Sequence, residues 1–566
     1  MSFRESAFYR YHEATKHTLA RLYADPHQLD WANQPDPFRR YDGATLIDLP
    51  RPTRPPPAEF FALSDPPAGL PPRVPLDLQG VANLLYYSMA ISAWKEVPAR
   101  GLRWSLRVNP SSGNLHPTET HLLAGGIDRL ADGVYHFRVD EFRLERRWQG
   151  PIDDLLTALN VACELPRRRL TVVLTSIFWR EAWKYRARAF RYCHHDLGHA
   201  LASITEAARG LGWPATLRQR FDDDRVASLL GLAGGDERPG VLLSIGPDAA
   251  TDANAAPPHR RFDGAPNALS GEVIAYALID HTYEATRTVG AGKSMRRSRV
   301  TIPSDQRIVL PSTTDAVSDF WHVVRTRRSV LETDGETGIS LDQLGTMLHR
   351  ATRGADGDIF TARGRDDSGL RTQDSGLSFS GLRTQDSGLS FSGLRTQDSG
   401  LSFSGLRTQD SGLTFIHLYL YVHRVDGLPP GVYYYEAASH ALIPLLLADV
   451  RREAAYLSLQ QSIAANGAFA VSMVADFRAA YTSFGERGYR AVHIESGFIG
   501  QALYLGAESV GTNSTGIGAF FDDDVNRYLA LPDGLEVIYH FTVGRAVPDP
   551  RLRTAPSYGF PDPAHA

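Results

Sequence analysis

The segment Asn109-Pro-Ser-Ser-Gly-Asn-Leu-His-Pro117 is the strongest local candidate for a ligand-binding loop. Proline and glycine favour a tight turn, and two hydroxyls and an amide supply short hydrogen-bond donors and acceptors. Such a turn can bind a planar polar ligand with backbone and side-chain groups together, through the residues Pro110, Ser111, Ser112 and Asn114. His116 follows the turn and could contact the same ligand. An ordinary turn, with the histidine as its cap, is the alternative explanation.

A second candidate is the basic segment Arg327-Arg-Ser329, at the start of a predicted helix. Two guanidinium groups and a hydroxyl suit a phosphate monoester, because arginine binds phosphate through two parallel hydrogen bonds. Gly544-Arg545 closes the last predicted strand and could add a third positive charge to the same phosphate. A solvated basic helix end and a lone exposed arginine are the alternatives.

Two other patterns resemble metal sites but are better explained by structure. The acidic runs Asp222–Asp224 and Asp522–Asp524 each precede a predicted helix, where aspartates cap the helix and stabilise its dipole. His195 and His199 have the i, i+4 spacing of zinc ligands, but Asp196 stands where the zinc motif has glutamate. We therefore predict packing roles for the histidines and no metal site.

The chain contains one sequence pattern twice, at a shift of about 300 residues. The segment Tyr185–Gly198 matches Phe484–Gly497, with arginines, a histidine and a glycine in the same order. Further matches lie on either side, between Gly133-Val-Tyr135 and Gly431-Val-Tyr433 and between Phe221-Asp-Asp-Asp224 and Phe521-Asp-Asp-Asp524. Because order and spacing agree, the protein is predicted to carry one fold twice.

Each copy gives the same series of predicted elements. A helix follows Leu76 in one copy and Leu341 in the other, and a long helix with apolar residues at helical spacing includes Cys193. The paired predicted strands are Thr120–Ala124 and Ile416–Val422, Leu170–Phe178 and Phe469–Phe477, and Val241–Ile245 and Val537–Val543. Helices that flank a short mixed sheet define an α+β class.

The distribution of proline, glycine and repeats divides the chain into four parts. We predict an N-terminal arm at 1–75, a first domain at 76–248, a linker at 249–312 and a second domain at 313–550. The twelve-residue repeat GLRTQDSGLSFS fills 369–404, and its Gly/Ser-rich composition predicts a flexible insert in the second domain. A short β-solenoid or a partner-binding arm is the alternative.

Composition excludes several classes of protein. The 566 residues are 43% hydrophobic and 22% charged, as in globular domains, and the net charge of −4 favours neither nucleic acid nor an acidic membrane surface. Two cysteines, Cys163 and Cys193, do not make a disulfide framework and favour a reducing compartment. The N-terminus lacks the apolar region of a secretory signal, and the longest apolar run is too short to span a membrane. We expect a soluble, cytoplasmic protein without a nucleic-acid or membrane partner.

Taken together, the binding loop, the basic segment, the terminal Gly-Arg and the duplicated pattern resemble the FMN-dependent nitroreductase superfamily. The arm sequence YHEATKHTLARLYADPHQLDWANQPDPFRRYDGA resembles that of the SagB-type dehydrogenase branch. The resemblance implies a dimeric fold with FMN at the interface. One partner would hold the phosphate with Arg-Arg-Ser and a late basic residue, and the other would place the Pro-Ser-Ser-x-Asn loop against the isoalloxazine and ribityl.

In this chain the two halves of that site are divided between the copies. The first copy keeps the loop, while its Ala62–Pro66 and Gly246-Pro247 lack the phosphate-binding arginines. The second copy keeps Arg327, Arg328, Ser329 and Arg545, but its loop counterpart reads Thr408-Gln-Asp-Ser-Gly412. The resemblance therefore implies two tandem nitroreductase-like domains that form an intrachain pseudo-dimer with one FMN, as a monomer or a homodimer. Gly516 and Gly518 resemble the family segment that faces the edge of the flavin ring.

The catalytic residues implied by the resemblance are Lys184 and Tyr185, which match a Lys-Tyr pair of azoline-oxidising members; the second copy has Ser483-Phe484. Such a pair can act as general base while a hydride leaves to the flavin. We predict an FMN-dependent oxidoreductase that acts on azoline-like or other C–N substrates in natural-product biosynthesis. Its expected partners are a small-molecule or peptide substrate and a biosynthetic enzyme. The alternatives are an NAD(P)H-dependent nitro or quinone reductase, and a non-catalytic scaffold that binds a peptide or a partner enzyme.

Overall fold

The computed structural model describes residues 3–24, 28–58, 74–158, 161–163, 169–245, 248–250, 260–289, 306–312, 318–354 and 414–565. The repeat insert 369–404, the loop counterpart 408–412 and the segments 62–66 and 246–247 lie outside the described residues.

The first half of the chain contains the following helices and strands: α1 (Ala7–Ala14), α2 (Leu19–Ala24), β1 (Tyr41–Asp42), β2 (Thr45–Asp48), α3 (Leu78–Tyr86), β3 (Ile91–Val97), β4 (Leu102–Arg107), β5 (Thr118–Gly125), β6 (Gly133–Arg138), β7 (Arg143–Gln149), α4 (Asp153–Ala158), β8 (Val161–Cys163), β9 (Arg169–Ile177), α5 (Phe178–Tyr185), α6 (Ala189–Gly210), β10 (Ala215–Arg218), α7 (Asp223–Leu230) and β11 (Glu237–Ile245).

The second half continues with these elements: β12 (Asp248–Ala250), β13 (Ala265–Pro266), α8 (Ala277–Thr286), β14 (Ile308–Val309), α9 (Phe320–Thr326), α10 (Leu341–Ala351), β15 (Ile416–Val422), β16 (Gly431–Glu436), β17 (Ala441–Leu447), α11 (Arg451–Leu457), α12 (Ile463–Asn466), β18 (Phe469–Asp476), α13 (Phe477–Phe484), α14 (Gly488–Ser509), β19 (Asn513–Ile517), α15 (Asp522–Tyr528), β20 (Leu535–Gly544) and β21 (Arg553–Ala555).

Two seven-stranded sheets of the same topology confirm the duplicated α+β fold. The first has the order β10-β11-β9-β5-β6-β7-β2, and the second has the matching order β19-β20-β18-β15-β16-β17-β14. The seventh strand of each sheet lies in the segment that sequence assigns to the arm or to the linker. The prediction of a mixed sheet was wrong, because the named strands pair antiparallel throughout. Short connections, as between β5 and β6, join neighbouring strands in that direction only.

The long helices α6 and α14 pack against each other and join the two domains. They cross at Gly198 and Gly497, the two glycines that match in the internal comparison. A Cβ atom on Gly198 would collide with the carbonyl oxygen of Ile494, and one on Gly497 would collide with that of His195. Both positions therefore require glycine for the helices to approach so closely, and the two copies form an intrachain pseudo-dimer.

The acidic runs do more than the predicted helix capping. Asp222 does cap α7, since its side chain accepts a hydrogen bond from the backbone N–H of Arg225. The next residue, Asp223, is fully buried and instead accepts hydrogen bonds from Arg487 and Arg490 of the other domain, at 2.8 and 2.6 Å. In the structure the equivalent of Asp223 is Asp522, one position earlier than the sequence match implies, and it accepts hydrogen bonds from Arg188 and Arg191 of the first domain. These runs therefore bind the two domains together.

The C-terminal segment returns to the first domain. Strand β21 adds to the β3–β4 hairpin and forms a three-stranded sheet. Beyond it, the Tyr558 hydroxyl donates to the carbonyl of Val139 of the first domain. Asp562 pairs with Arg325 of α9, in the second domain, at 2.9 Å. None of the described helices is long and apolar enough to cross a membrane.

Candidate functional site

A cavity of about 630 Å³ lies between the two domains and is lined by residues of both. This volume is within the usual range for small-molecule and cofactor sites. It is lined by all but one of the predicted site residues: Pro110, Ser111, Ser112, Asn114, Lys184, Tyr185, Arg327, Arg328, Ser329, Gly516 and Gly518. His116 lines it as well.

Arg545 is the predicted residue that the structure leaves outside the cavity. Its side chain is exposed, and the next residue, Ala546, lines the cavity in its place. The backbone carbonyl of Arg545 accepts a hydrogen bond from Asp334, which ties the end of β20 to a neighbouring loop. This position gives no support to the predicted phosphate contact.

The binding loop, which follows β4, is fixed by hydrogen bonds to the carboxylate of Asp196 on α6. Ser111 Oγ donates to this carboxylate at 2.6 Å, and the backbone N–H and the hydroxyl of Ser112 donate to it at 3.0 Å each. The Asn114 amide donates to the carbonyl of Ser105 at 2.9 Å. Sequence analysis assigned these donors to a ligand, but in the structure they form hydrogen bonds that stabilise the loop. The serine oxygens still have lone pairs that can accept hydrogen bonds.

Lys184 and Tyr185, at the end of α5, face this loop. A Cβ atom on Gly113, which has a φ of 59°, would lie 2.6 Å from the Tyr185 hydroxyl and 3.0 Å from Lys184 Nζ. Glycine at this position therefore lets both polar groups approach the loop backbone. Burial raises the pKa of Tyr185 well above its ordinary value, so its phenol stays protonated at neutral pH.

Arg327 and Arg328 bring two positive charges to the cavity wall, whose lining also includes Asp549. Arg327 is buried and donates to the carbonyl of Arg107 at 3.1 Å, and Arg328 donates to main-chain carbonyls, including that of Arg325 at 2.8 Å. Among the residues that the structure describes, no carboxylate lies within ion-pair distance of either arginine. Burial, followed by repulsion from Arg327 and Arg325, lowers the pKa of Arg328 to about 9.

Lys95 of strand β3 joins this group of cations. It lines the cavity, donates to Thr554 Oγ1 at 2.7 Å, and has a pKa that burial and the nearby Arg328 lower. Arg328 and Lys95, two cations whose pKa values are lowered by burial and by a neighbouring arginine, fit an anionic ligand with several oxygen atoms. The donor set of Arg327, Arg328 and Lys95 thus fits a phosphate group, and Lys95, not Arg545, is the third of these cations that lines the cavity.

The turn at the end of β19 lines the same cavity as the binding loop. A Cβ atom on Gly516 would collide with the Tyr539 hydroxyl, and one on Gly518 would collide with the Tyr192 ring. The Gly516 N–H donates to the Tyr504 hydroxyl at 2.7 Å, and the Tyr192 hydroxyl donates to the Gly518 carbonyl at 2.9 Å. Glycines here make room for tyrosines of both domains, and aromatic and backbone walls suit a planar ring.

Sequence reasoning missed several cavity residues, although the internal comparison contains a signal for two of them. On the long helix, Tyr192 and His199 line the cavity, and their counterparts in the second copy are the apolar Ala491 and Phe498. Asp196, which fixes the loop without lining the cavity, has no such signal, because its counterpart Glu495 is also acidic. Lys95, Tyr504 and Tyr539 have no such signal, since only the fold brings them to the cavity.

Comparison with known proteins identifies the family. The family described as "Nitroreductase family" matches residues 99–247 and 411–545, about half of the chain, in two segments. The chain therefore belongs to the nitroreductase family, and it contains the family domain twice. Members of this family generally bind a flavin.

Two relatives place this result in context. Over 118 residues the chain is 31% identical to a protein of Methanocaldococcus jannaschii that is named as an inferred nitroreductase; the match covers 21% of this chain and 60% of that protein. The crystal structure of an inferred nitroreductase from Anabaena variabilis covers 96% of this chain and 100% of its own, at 24% identity and a TM-score of 0.70. This second likeness shows that the whole tandem fold occurs in another protein.

Proposed function

We propose that the protein is an FMN-dependent oxidoreductase of the SagB type, which dehydrogenates an azoline-like or other C–N substrate. The observation that carries the proposal is that Lys184 and Tyr185 line the same cavity as the unpaired cations Arg327 and Arg328. One cavity thus combines a site for the cofactor phosphate with a pair of proton-transfer groups. The matching positions Ser483 and Phe484 cannot supply the same pair in the second copy.

The residues of this chain would hold FMN as follows. Arg327, Arg328 and Lys95 would bind the phosphate, and the Ser111–Asn114 loop and the Gly516–Gly518 turn would contact the ribityl chain and ring. FMN, when bound, supplies an acceptor for the hydride. Lys184 Nζ would take the proton that the substrate loses in the same oxidation, while the protonated Tyr185 hydroxyl donates a hydrogen bond that orients the substrate.

A test of the proposal uses the full-length protein, FMN and an azoline-containing peptide. The purified protein should bind FMN, and an azoline-containing peptide should be oxidised to the azole with reduction of the flavin under anaerobic conditions. Lys184→Ala should lower the rate by roughly a hundredfold or more, as expected for loss of a general base. Its matched control is Lys95→Ala, which should weaken FMN but leave the rate of the FMN-saturated protein within a few-fold.

A nitro or quinone reductase is the second candidate, because the Methanocaldococcus relative is named as an inferred nitroreductase. Rapid anaerobic reduction of the flavin by NADPH, with no reduction by the azoline peptide, would favour it. A protein that binds no added FMN would contradict both candidates and favour a scaffold that binds a peptide or a partner enzyme. We also propose that the intrachain pseudo-dimer acts as a monomer, which its mass in solution tests.

A further inference from the structure

Glu181 is a buried carboxyl group that the proposed reaction does not use. It lies on α5, one turn before Lys184 and Tyr185, and its exposed fraction is 0%. Among the described residues, no N–H or hydroxyl group donates to either of its oxygens at conventional geometry. The Asp196 carboxylate is the neighbour that a proton on Glu181 can meet. An ionised carboxylate buried in this way would cost several kcal/mol of stability, roughly, so the group must be neutral or compensated.

Asp196 occupies the same buried space and already has its partners. It is fully buried and accepts the three hydrogen bonds from Ser111 and Ser112 that shape the loop. Two fully buried carboxyl groups side by side disfavour a second negative charge, which favours a neutral Glu181. Burial and then the neighbouring Asp196 raise the pKa of Glu181 well above its ordinary value, while Lys184 and Ser111 lower it only in part.

The second copy shows that the fold does not need a carboxyl group at this position. Ala480 stands on α13 where Glu181 stands on α5, and it is equally buried. Glu495, the counterpart of Asp196, accepts hydrogen bonds from the backbone N–H groups of Thr414 and Phe415 at 2.6 and 3.0 Å. The paired acids are therefore found in the half of the molecule that has the Lys-Tyr pair.

We propose that Glu181 is a positioning residue that shares a proton with Asp196. As an uncharged acid it leaves Asp196 free to hold Ser111 and Ser112, and it keeps a second negative charge away from Lys184. An ionised Glu181 would compete with Asp196 for the Ser111 hydroxyl. The role of Glu181 in positioning the loop rests on the proposed flavin site. The proton shared between Glu181 and Asp196 does not depend on that proposal.

The shared proton can be measured without any flavin. Infrared difference spectra of the full-length protein at neutral pH should contain the C=O band of a protonated, buried carboxylic acid that Glu181→Gln removes. Glu237→Gln is the matched control: Glu237 is also buried in the first domain, but His121 bonds it at 2.5 Å and its pKa is lowered, so the band should persist. A band unchanged in Glu181→Gln, or no such band in the wild type, would overturn the proposal.

The positioning role is tested by riboflavin, which has no phosphate and reports on the loop. Glu181→Gln keeps an uncharged donor and should retain wild-type affinity within about twofold, while Glu181→Ala removes the donor and should weaken riboflavin roughly tenfold. Ala480 in the same position of α13 indicates that the alanine variant can fold. Equal affinities of the glutamine and alanine variants would overturn the positioning role. If neither the wild type nor the variants bind riboflavin, the proposed function fails, and the infrared result still decides the shared proton.

Discussion

Arg191 of the first domain and Asp522 of the second form a fully buried ion pair, with 2.8 Å between Nη1 and Oδ1. The reciprocal pair, Arg490 with Asp223, crosses the interface in the opposite direction at 2.6 Å. The two pairs are related by the internal duplication, so they behave as the two copies of one contact in a symmetric dimer. The pseudo-dimer is therefore held by charge as well as by the helix crossing at Gly198.

We expect Asp522→Asn to lower the free energy of unfolding by about 3–5 kcal/mol, because it leaves Arg188 and Arg191 buried without their shared carboxylate. Denaturant unfolding measures the change. Asp524→Asn is the matched control in the same run, since Asp524 pairs with the exposed Arg527 and its loss should cost less than about 0.5 kcal/mol. Equal effects of the two changes would contradict the structural role of the cross-domain pair.

Phosphate anchoring gives a second prediction. Arg328→Ala removes a charge-assisted contact and should weaken FMN by roughly 1.5–3 kcal/mol, about ten- to a hundredfold, while riboflavin affinity should barely change. Calorimetric titration with both ligands measures the difference. Arg545→Ala tests the placement of the cation cluster: because its side chain is exposed outside the cavity, we expect less than a threefold loss of FMN affinity. A loss of FMN affinity as large as that of Arg328→Ala would indicate that Arg545 does contact the phosphate.

The duplicated strands and helices could be predicted because their signals are local. The strand predicted at Ile416–Val422 has those bounds in the structure, and the one predicted at Leu170–Phe178 lies at Arg169–Ile177. Apolar side chains at a period of two, or at helical spacing, are enough to define such elements. The loop and the basic segment were predicted as binding residues from their residue types, and the structure places both at the cavity. What they bind stays a prediction.

The residues that sequence could not predict act through contacts between distant segments. Lys95 reaches the cavity because β3 lies between β4 and β21, a strand that is more than 450 residues away. The choice between Lys95 and Arg545 for the third cation depends on that pairing and not on either local sequence. Glu181 and Asp196 likewise meet only because α5 and α6 fold against each other.

The cofactor stoichiometry is the third prediction. We expect one FMN per chain. The second copy lacks the polar side chains for a second site, because Ser483 is the one polar residue among its counterparts of Lys184, Tyr185, Tyr192 and His199. Protein and flavin concentrations, measured after unfolding releases the cofactor, give the ratio. Lys184→Ala should leave the ratio at one, since the phosphate-binding arginines remain. A ratio near two would contradict the division of one site between two domains.

The fourth prediction concerns the buried network that holds the end of the binding loop. His136 lies between Glu119 and Glu145, at 3.1 and 2.8 Å, and Glu119 pairs with Arg180. Arg180 in turn donates to the carbonyl of His116 at 2.7 Å. Burial lowers the pKa of His136, but the hydrogen bonds and charges of the two glutamates outweigh burial and raise it to about 9.

A raised histidine pKa stabilises the folded state while the group is protonated. The contribution of His136 is therefore complete below the ordinary value of 6.5 and is lost as the pH rises through about 9. We expect the free energy of unfolding of the wild type to fall across this range, and that of His136→Gln to be lower at acidic pH and to change less between the two values. Denaturant unfolding of both proteins at each end of the range measures the difference. His440→Gln is the matched control, because the pKa of His440 is lowered, mainly by burial, and its loss should not flatten the profile. Parallel pH profiles for the wild type and His136→Gln would show that the histidine between the two glutamates does not hold the proton that the network requires.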